Sequence, residues 1–339
     1  MKTFYRTASL ALAAAVVAAA LVACSPAPAP TAPVPTAPAT VAPTARPAEA
    51  TAAPTAVPPT ATPAAPAFPV TITDDDHQTV TVKAEPRRIV SLVPSMTEIL
   101  FALGLGDRVV GDTTYCDYPE AAKTKEKVGQ FAQIDLEKVV GLSPDLVLAT
   151  SLHYQTVAPA LRQRGITVAV FEAADVEGVL AQILTIGRLT GRTREAEALT
   201  KEMRARLDAV AAKVAQAPKP RVYWELDAML YTAGKGSIVD DMITRAGGNN
   251  VGRTLAGEWP QFNMEALVAA DPEVIFLADH GSGETAGKVA SRAGWSGITA
   301  VKQGRIVEVD DVNLVSRPGP RVVEAVEYIA KQLHPDLFK

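Results

Sequence analysis

The stretch DLEKVVGLSPDLVLA at residues 135–149 decides the fold, because it returns as NMEALVAADPEVIFL at residues 263–277. In each copy a capping side chain, Asp135 or Asn263, stands before a short apolar helical turn, with Glu137 or Glu265 two residues on. Asp and Asn favour that position because their oxygens accept hydrogen bonds from the free N–H groups of a helix start. Val140 matches Val268, and Pro144 matches Pro272, where each helix must stop. An acid and then an uninterrupted apolar run follow. Such runs read as strands buried on both faces, as in a parallel sheet covered by helices. One helix–strand unit occurring twice points to two lobes of one architecture.

The same alternation extends outward from both copies. Strands are predicted at residues 88–93, 107–113, 145–149 and 166–171, with helices at 95–103, 135–141 and 156–164; Gly104, Gly106 and Gly165 mark helix ends. The second half predicts strands at 221–226, 273–278 and 305–309 and helices at 237–246, 263–269 and 319–333. The fold class is therefore α/β: two Rossmann-like lobes with mostly parallel central sheets. Between them, residues 175–216 are helical, with Gly187 and Gly191 as breaks. From Thr193 the apolar positions Leu199, Met203, Leu207, Val210 and Val214 recur every three or four residues. A helix of about 24 residues would be about 36 Å long, too long for a simple crossover, and reads as a single rigid spine joining the lobes. The predicted divisions are residues 68–175 for the first lobe, 176–217 for the spine and 218–339 for the second lobe. Ahead of them, residues 70–73 and 79–83 alternate as a hairpin, with Asp74, Asp75 and Asp76 as a solvated tip rather than a metal site.

The first 67 residues read differently. Lys2 and Arg6 precede an apolar, Ala-rich run that ends in Leu21-Val22-Ala23-Cys24. Residues 1–23 read as a secretory signal peptide, and the cysteine resembles that of a bacterial lipobox, with Cys24 as the lipidation site and membrane anchor. Each acyl CH₂ buried in a membrane contributes about 0.8 kcal/mol. Residues 24–67 are almost wholly Ala, Pro, Thr and Val, a composition that stays extended and cannot build a core. They read as a tether; a glycosylated stalk or a wall-crossing spacer fits the same composition.

Composition narrows the function. With 33 Lys and Arg against 37 Asp and Glu, the net charge of −4 argues against nucleic acid as partner. Of two cysteines, lipidation of Cys24 leaves Cys116 alone, so no intramolecular disulfide is expected, and Cys116 reads as a small buried hydrophobe. No GxSxG elbow, phosphate loop or dinucleotide fingerprint is present. His77, His153, His280 and His334 show no metal-ligand spacing. The reading is a binding protein without a catalytic residue, bound metal or cofactor of its own; its class rival is a chelatase-like enzyme. His153 follows a predicted strand at its carboxyl end, where open α/β sheets bind ligands. Aromatic residues are scarce at 5%, yet Tyr115, Tyr118, Phe131, Tyr154, Tyr231, Trp259 and Trp295 fall in predicted loops. Such rings suit the walls of a large flat ligand; Trp259 is the foremost candidate, and Trp295 is expected to pack beneath its loop. Glu137 and Glu265 each complement a helix dipole, worth about 0.3–1 kcal/mol, and as a pseudo-symmetric pair they also suit docking on a two-fold partner.

These motifs resemble those of one family. Residues 88–100 (RIVSLVPSMTEIL), the Thr114-Tyr-Cys-Asp-Tyr-Pro119 loop, Gly257-Glu-Trp-Pro260 and Ser316-Arg-Pro-Gly-Pro-Arg321 resemble the helical-backbone, or class III, periplasmic binding proteins of ABC importers. Within that class the chain is most similar to the vitamin B12-binding members. The resemblance implies a monomeric, lipid-anchored protein outside the cytoplasmic membrane or in the periplasm. It would bind cobalamin or another corrinoid between the lobes and deliver it to a permease dimer with its ATPase subunits. It makes Tyr115 and Trp259 cleft residues, with Tyr118, Phe131, His153 and Arg317 as further ligand contacts, and Glu137 and Glu265 the permease-docking pair. Three positions depart from the B12-binding pattern: Phe131 stands in place of a tryptophan, Thr150-Ser151 lacks another, and Cys116 replaces a small polar residue. Haem or a ferric siderophore is the alternative cargo, with Tyr115, Tyr118, His153 or His280 as axial ligand and Arg317 pairing with carboxylates.

Overall fold

The computed structural model describes residues 68–339; the expected signal peptide, Cys24 and the tether lie outside the described residues. A hairpin of β1 (Val70–Thr73) and β2 (Thr79–Val82) comes first. The N-terminal lobe runs β3 (Ile89–Ser91), α1 (Pro94–Ala102), β4 (Val109–Asp112), β5 (Glu126–Lys127), α2 (Leu136–Gly141), β6 (Leu146–Ala149), α3 (Val157–Gln163) and β7 (Val168–Val170). Two helices, α4 (Val176–Thr190) and α5 (Thr193–Val214), lead to the C-terminal lobe. That lobe runs β8 (Arg221–Glu225), α6 (Ile238–Arg245), β9 (Asn249–Asn250), α7 (Met264–Ala270), β10 (Val274–Leu277), α8 (Ala286–Ala290), α9 (Thr299–Lys302), β11 (Ile306–Glu308), α10 (Val312–Ser316) and α11 (Val322–Leu333). The sheets are β5-β4-β3-β6-β7 and β11-β10-β8-β9, and every neighbouring pair in both is parallel. The two α/β lobes expected from the repeat are present. No helix among the described residues is long and apolar enough to cross a membrane.

The repeated unit is alike down to its backbone. Asp135 caps α2 by accepting from the Lys138 N–H at 3.0 Å, and Asn263 caps α7 by accepting from the Ala266 N–H at 2.7 Å. Val139 and Leu267, one position before the matched valines, are the fully buried residues of the two helices. Ser143 and Asp271 follow with φ of 47° and 43°, a left-handed turn that side chains other than glycine adopt at a cost of about 1–3 kcal/mol. Arginines at the starts of the neighbouring strands, Arg88 just before β3 and Arg221 first in β8, hold both turns. Arg88 donates to the Leu142 carbonyl at 2.8 and 2.7 Å, and Arg221 to the Asp271 carbonyl at 2.7 Å. Asp145 accepts from the Arg88 N–H at 2.9 Å and Glu273 from the Arg221 N–H at 2.9 Å, which explains the acid after each proline.

Gly187 does not break the interlobe segment: it lies inside α4, and Gly191, at φ 75°, ends that helix. The spine is α5, which runs back along α4, with Arg204 pairing to Glu177 at 2.8 Å. Met203, Leu207, Val210 and Val214 are buried along it, as their spacing predicts. Arg206 ties it to α11 through a bidentate pair with Glu327 at 2.9 and 2.6 Å. One continuous apolar cluster includes Ile99 and Leu148 of the first lobe, Ile183 and Ile186 of α4, and Trp224, Phe276 and Val326 of the second. The outer faces of the two sheets have separate cores around Val147 and Leu161 and around Ile275 and Trp295.

The acidic hairpin tip is not solvated as expected. Asp74 is buried, accepts from the Val170 N–H at 3.1 Å and pairs with Arg162 at 2.8 Å; Asp76 pairs with the same guanidinium at 2.5 Å. Asp75 accepts from the Glu172 N–H at 2.7 Å. The three acids dock the hairpin onto the β7 edge, a contact between segments too distant in sequence to be read locally.

The α4–α5 contact makes a stability prediction. A Cβ on Gly187 would lie 2.4 Å from Ala196 Cβ and 3.0 Å from the Arg192 carbonyl oxygen. Alanine gains about 1 kcal/mol in helix propensity, but overpacking against backbone costs about 1–3 kcal/mol. Gly187→Ala is expected to lower the urea unfolding free energy by about 1 kcal/mol, and a rise instead would show that the helices part freely.

Candidate functional site

Both sheets carry loops with exposed aromatic rings at their carboxyl edges. The loop after β4 carries Tyr115 and Tyr118, the loop after β5 carries Phe131, and the loop after β9 carries Trp259. All four side chains are exposed, Tyr115 to 53%, Tyr118 to 46%, Phe131 to 43% and Trp259 to 48%. Leu152, Met229 and Tyr231 add exposed apolar surface from loops at the same edges. The segment after β11 reaches from the C-terminal lobe to Glu98 of α1 and to the tyrosine loop, so the two carboxyl edges face each other there.

Trp259 is presented by a paired backbone. The Thr232 and Gly234 N–H groups donate to the Pro260 and Glu258 carbonyls at 2.9 and 2.8 Å, and Tyr231 bridges Gln261. Gly234 permits this approach, since a Cβ there would meet the Gly257 carbonyl oxygen at 2.2 Å. Both neighbours of Trp259 are thus tied down while its ring stays outside.

The tyrosine loop is held from below and from across the cleft. From below, the Lys127 ammonium donates to Asp112 at 2.6 Å and to the Ala122 and Cys116 carbonyls at 3.0 and 3.3 Å. Burial pushes the Asp112 carboxyl up to about 6, against the pull of Lys127. Cys116 is buried, accepts from the Thr97 hydroxyl at 3.1 Å and lies 3.3 Å from that of Thr113; burial pushes its thiol up, so it is packing, as its sequence context suggested. From across the cleft come Arg317 and Arg321, which meet on Glu98 of α1, whose side chain is 1% exposed. Arg321 grips it at 2.9 and 2.8 Å, and Arg317 reaches it at 3.4 Å. Arg317 also donates to Asp117 at 2.5 Å and to the Tyr115 carbonyl at 3.1 Å, and Arg321 lies 4.1 Å over the Tyr118 ring. The Arg317 guanidinium holds the Asp117 carboxyl below its usual range. Gly319 passes 3.4 Å, measured from a would-be Cβ, from the Ser95 carbonyl oxygen, so this segment is pressed onto α1.

Two expected ligand contacts are therefore corrected. Arg317 is 9% exposed and its guanidinium is engaged by Asp117, Glu98 and the Tyr115 carbonyl, so it does not face a ligand. His153 is fully buried. Its Nδ1 accepts from the Thr150 N–H at 3.2 Å, and its Nε2 donates to the Phe131 carbonyl at 3.2 Å. It is a strut beneath the Phe131 loop, with no ring nitrogen left for an axial bond, and burial holds its pKa below the usual histidine value. Tyr154 likewise serves packing, donating to the Asp75 carbonyl at 3.0 Å, and Trp295 is buried and donates to Met264 Sδ at 2.8 Å. Sequence reasoning missed Glu98, Asp117 and Arg321. The available signal was an acid amid the apolar run of α1 and a pair of arginines in a Pro-Gly segment.

Glu137 and Glu265 sit in the first turns of α2 and α7, both exposed. Arg164 stands 3.4 Å from Glu137, at a site where both side chains are largely solvated. Glu265 has no ion pair among the described residues.

Known proteins resemble this arrangement. The family model for periplasmic binding proteins matches residues 89–312. An uncharacterized ABC transporter substrate-binding lipoprotein of Bacillus subtilis, YvrC, is 41% identical over 80% of this chain and 87% of its own. A cobalamin-binding protein of Halobacterium salinarum is 37% identical over 78% of this chain and 74% of its own. The solved structure of the periplasmic heme-binding protein BhuT in complex with two hemes is 29% identical, with a TM-score of 0.67 over 75% of this chain and all of that one.

Burying a neutral imidazole fixes the sign of a pH effect. The unfolded chain protonates this ring near pH 6.5, whereas the folded ring resists the proton. Below that pH the unfolded state binds more protons, so this ring's contribution to stability is lost as pH falls. Between about pH 7.5 and about pH 5 the protein is expected to lose more stability in urea than His153→Gln does. Equal losses would remove His153 as the source.

Proposed function

The chain belongs to the periplasmic binding protein family and is the substrate-binding protein of an ABC transporter; from that premise we propose that its cargo is a corrinoid, held between Tyr115 and Phe131 of one lobe and Trp259 of the other. The observation that carries the reading is the set of exposed rings at the facing carboxyl edges, in a chain of which only 5% is aromatic. Exposed aromatic walls of this kind suit a large flat ligand, because rings bury much area while losing little side-chain entropy. The cobalamin-binding relative from Halobacterium supports the same cargo.

In this reading residues 68–175 and 218–339 form the two lobes, with residues 176–217 as the spine between them. The protein acts as a monomer and needs no cofactor of its own. Cys24 is lipidated and anchors it to the outer face of the cytoplasmic membrane, and residues 24–67 hold the lobes away from the bilayer. Glu137 and Glu265 dock on basic residues of the permease dimer, which works with its ATPase subunits. Their exposure on equivalent helices supports that role, since an exposed carboxylate is open to a partner's guanidinium; Glu137 would exchange its solvated contact with Arg164 for it. Haem is the second reading, favoured by the likeness to the heme-binding protein and by the exposed phenols of Tyr115 and Tyr118.

Titrating the purified protein with cyanocobalamin, haemin and a ferric siderophore, followed by visible spectra and calorimetry, tests the cargo. Cyanocobalamin is expected to saturate, and Trp259→Ala to weaken it at least about tenfold, or about 1.4 kcal/mol. Saturation by haemin alone would replace the corrinoid with haem. Glu265→Arg is expected to abolish uptake with cyanocobalamin affinity unchanged; weakened affinity would sink the docking role.

A further inference from the structure

The loop that carries Tyr115 and Tyr118 belongs to the N-terminal lobe, yet the side chains of Asp117 and Tyr118 meet charged partners from the other lobe. Its base is local: the Thr114 N–H donates to the Gly129 carbonyl at 3.0 Å, and the Cys116 N–H to the Thr113 carbonyl at 3.0 Å. Beyond Cys116 the partners change. Among the described residues, the Asp117 carboxylate has its ion pair on Arg317, and the Tyr118 ring has its cation contact on Arg321. The Tyr115 carbonyl accepts from Arg317. Both arginines lie at the far end of the chain, between α10 and α11.

A simple fastening of the lobes would not need this arrangement. Arg321 alone satisfies Glu98, with two bonds under 3 Å. Arg317 stands farther from Glu98, at 3.4 Å, and closer to Asp117, at 2.5 Å. The second arginine is thus committed to the loop rather than to the buried glutamate, and it is 9% exposed in a cleft whose aromatic rings are half in water.

We propose that Arg317, with Arg321, is a positioning residue that shapes the tyrosine wall of the opposite lobe, so that Tyr115 and Tyr118 are correctly placed only while the lobes are apposed. This rests on reading the cleft as the ligand site. Grip and lobe spacing then become one variable. A small widening withdraws Arg317 from Asp117 and from the Tyr115 carbonyl, and the loop relaxes before either lobe is deformed.

The test uses Asp117→Asn, Arg317→Met and the double variant in the whole protein. Arg321 stays in each, so Glu98 keeps its bidentate partner. Hydrogen–deuterium exchange of residues 113–119 is measured without ligand. Each single variant is expected to exchange there about tenfold faster, with β3 and β6 unchanged and the double variant no faster than the faster single. Unchanged exchange at 113–119, or acceleration spread through β3 and β6, overturns the inference. With cyanocobalamin bound, both variants should dissociate about tenfold faster at near-constant association rate; unchanged dissociation from a loosened loop also overturns it. If the unaltered protein binds no cyanocobalamin, the cargo reading fails while the exchange result still decides the positioning role.

Discussion

A carboxylate buried between two guanidinium groups governs the relation of the two lobes. Glu98 sits on a helix most of whose buried side chains serve an apolar core, and its charge is tolerable because Arg321 grips it from the far end of the chain, with Arg317 standing farther off beside it. Stripping such a charge of its partners costs several kcal/mol, whereas the pair itself adds little net stability over an apolar substitute. What it supplies is registry. Placing the second lobe against the first in this register brings Arg321 onto Glu98 and Arg317 onto Asp117.

The repeat and the fused core explain why that placement is firm. Each lobe solves the passage from helix to strand with a left-handed residue at the same position, the same proline and an arginine brace on the turn, so the lobes share a local geometry as well as a sequence pattern. Behind them, α4 and α5 contribute to one apolar cluster with residues from both sheets. Motion that parts the lobes at the back must expose that cluster. Motion at the front need only break polar contacts to the tyrosine loop, so the cleft side is where the molecule gives.

The helix–strand alternation was legible because its signals are local: caps, prolines and uninterrupted apolar runs. The aromatic lips were legible for the same reason, since Tyr115, Phe131 and Trp259 fall in the loops left between predicted elements. What escaped was long-range. Asp74, Asp75 and Asp76 read as a solvated tip because their partners, Arg162 and the β7 edge, are some ninety residues away. His153 read as a ligand because it ends a strand, whereas a turn of three residues folds it inward onto Thr150. Arg317 read as a ligand contact because nothing in its own segment names Asp117 or Glu98 as its partner. The motifs that carry the family resemblance in residues 88–100, 114–119 and 316–321 are the three pieces of this one junction, and their chemistry shows only when they meet.

The exposed rings have a thermodynamic meaning. With the lobes braced at the back and registered at Glu98, the rings of the aromatic lips stand about half exposed to water. In the proposed function, burying those rings against a flat ligand returns their hydration water to bulk and so supplies free energy for capture. Such association removes heat capacity from the system and varies with temperature as apolar hydration does. Warmth or cold would then alter its grip on such a ligand through the hydration of those rings.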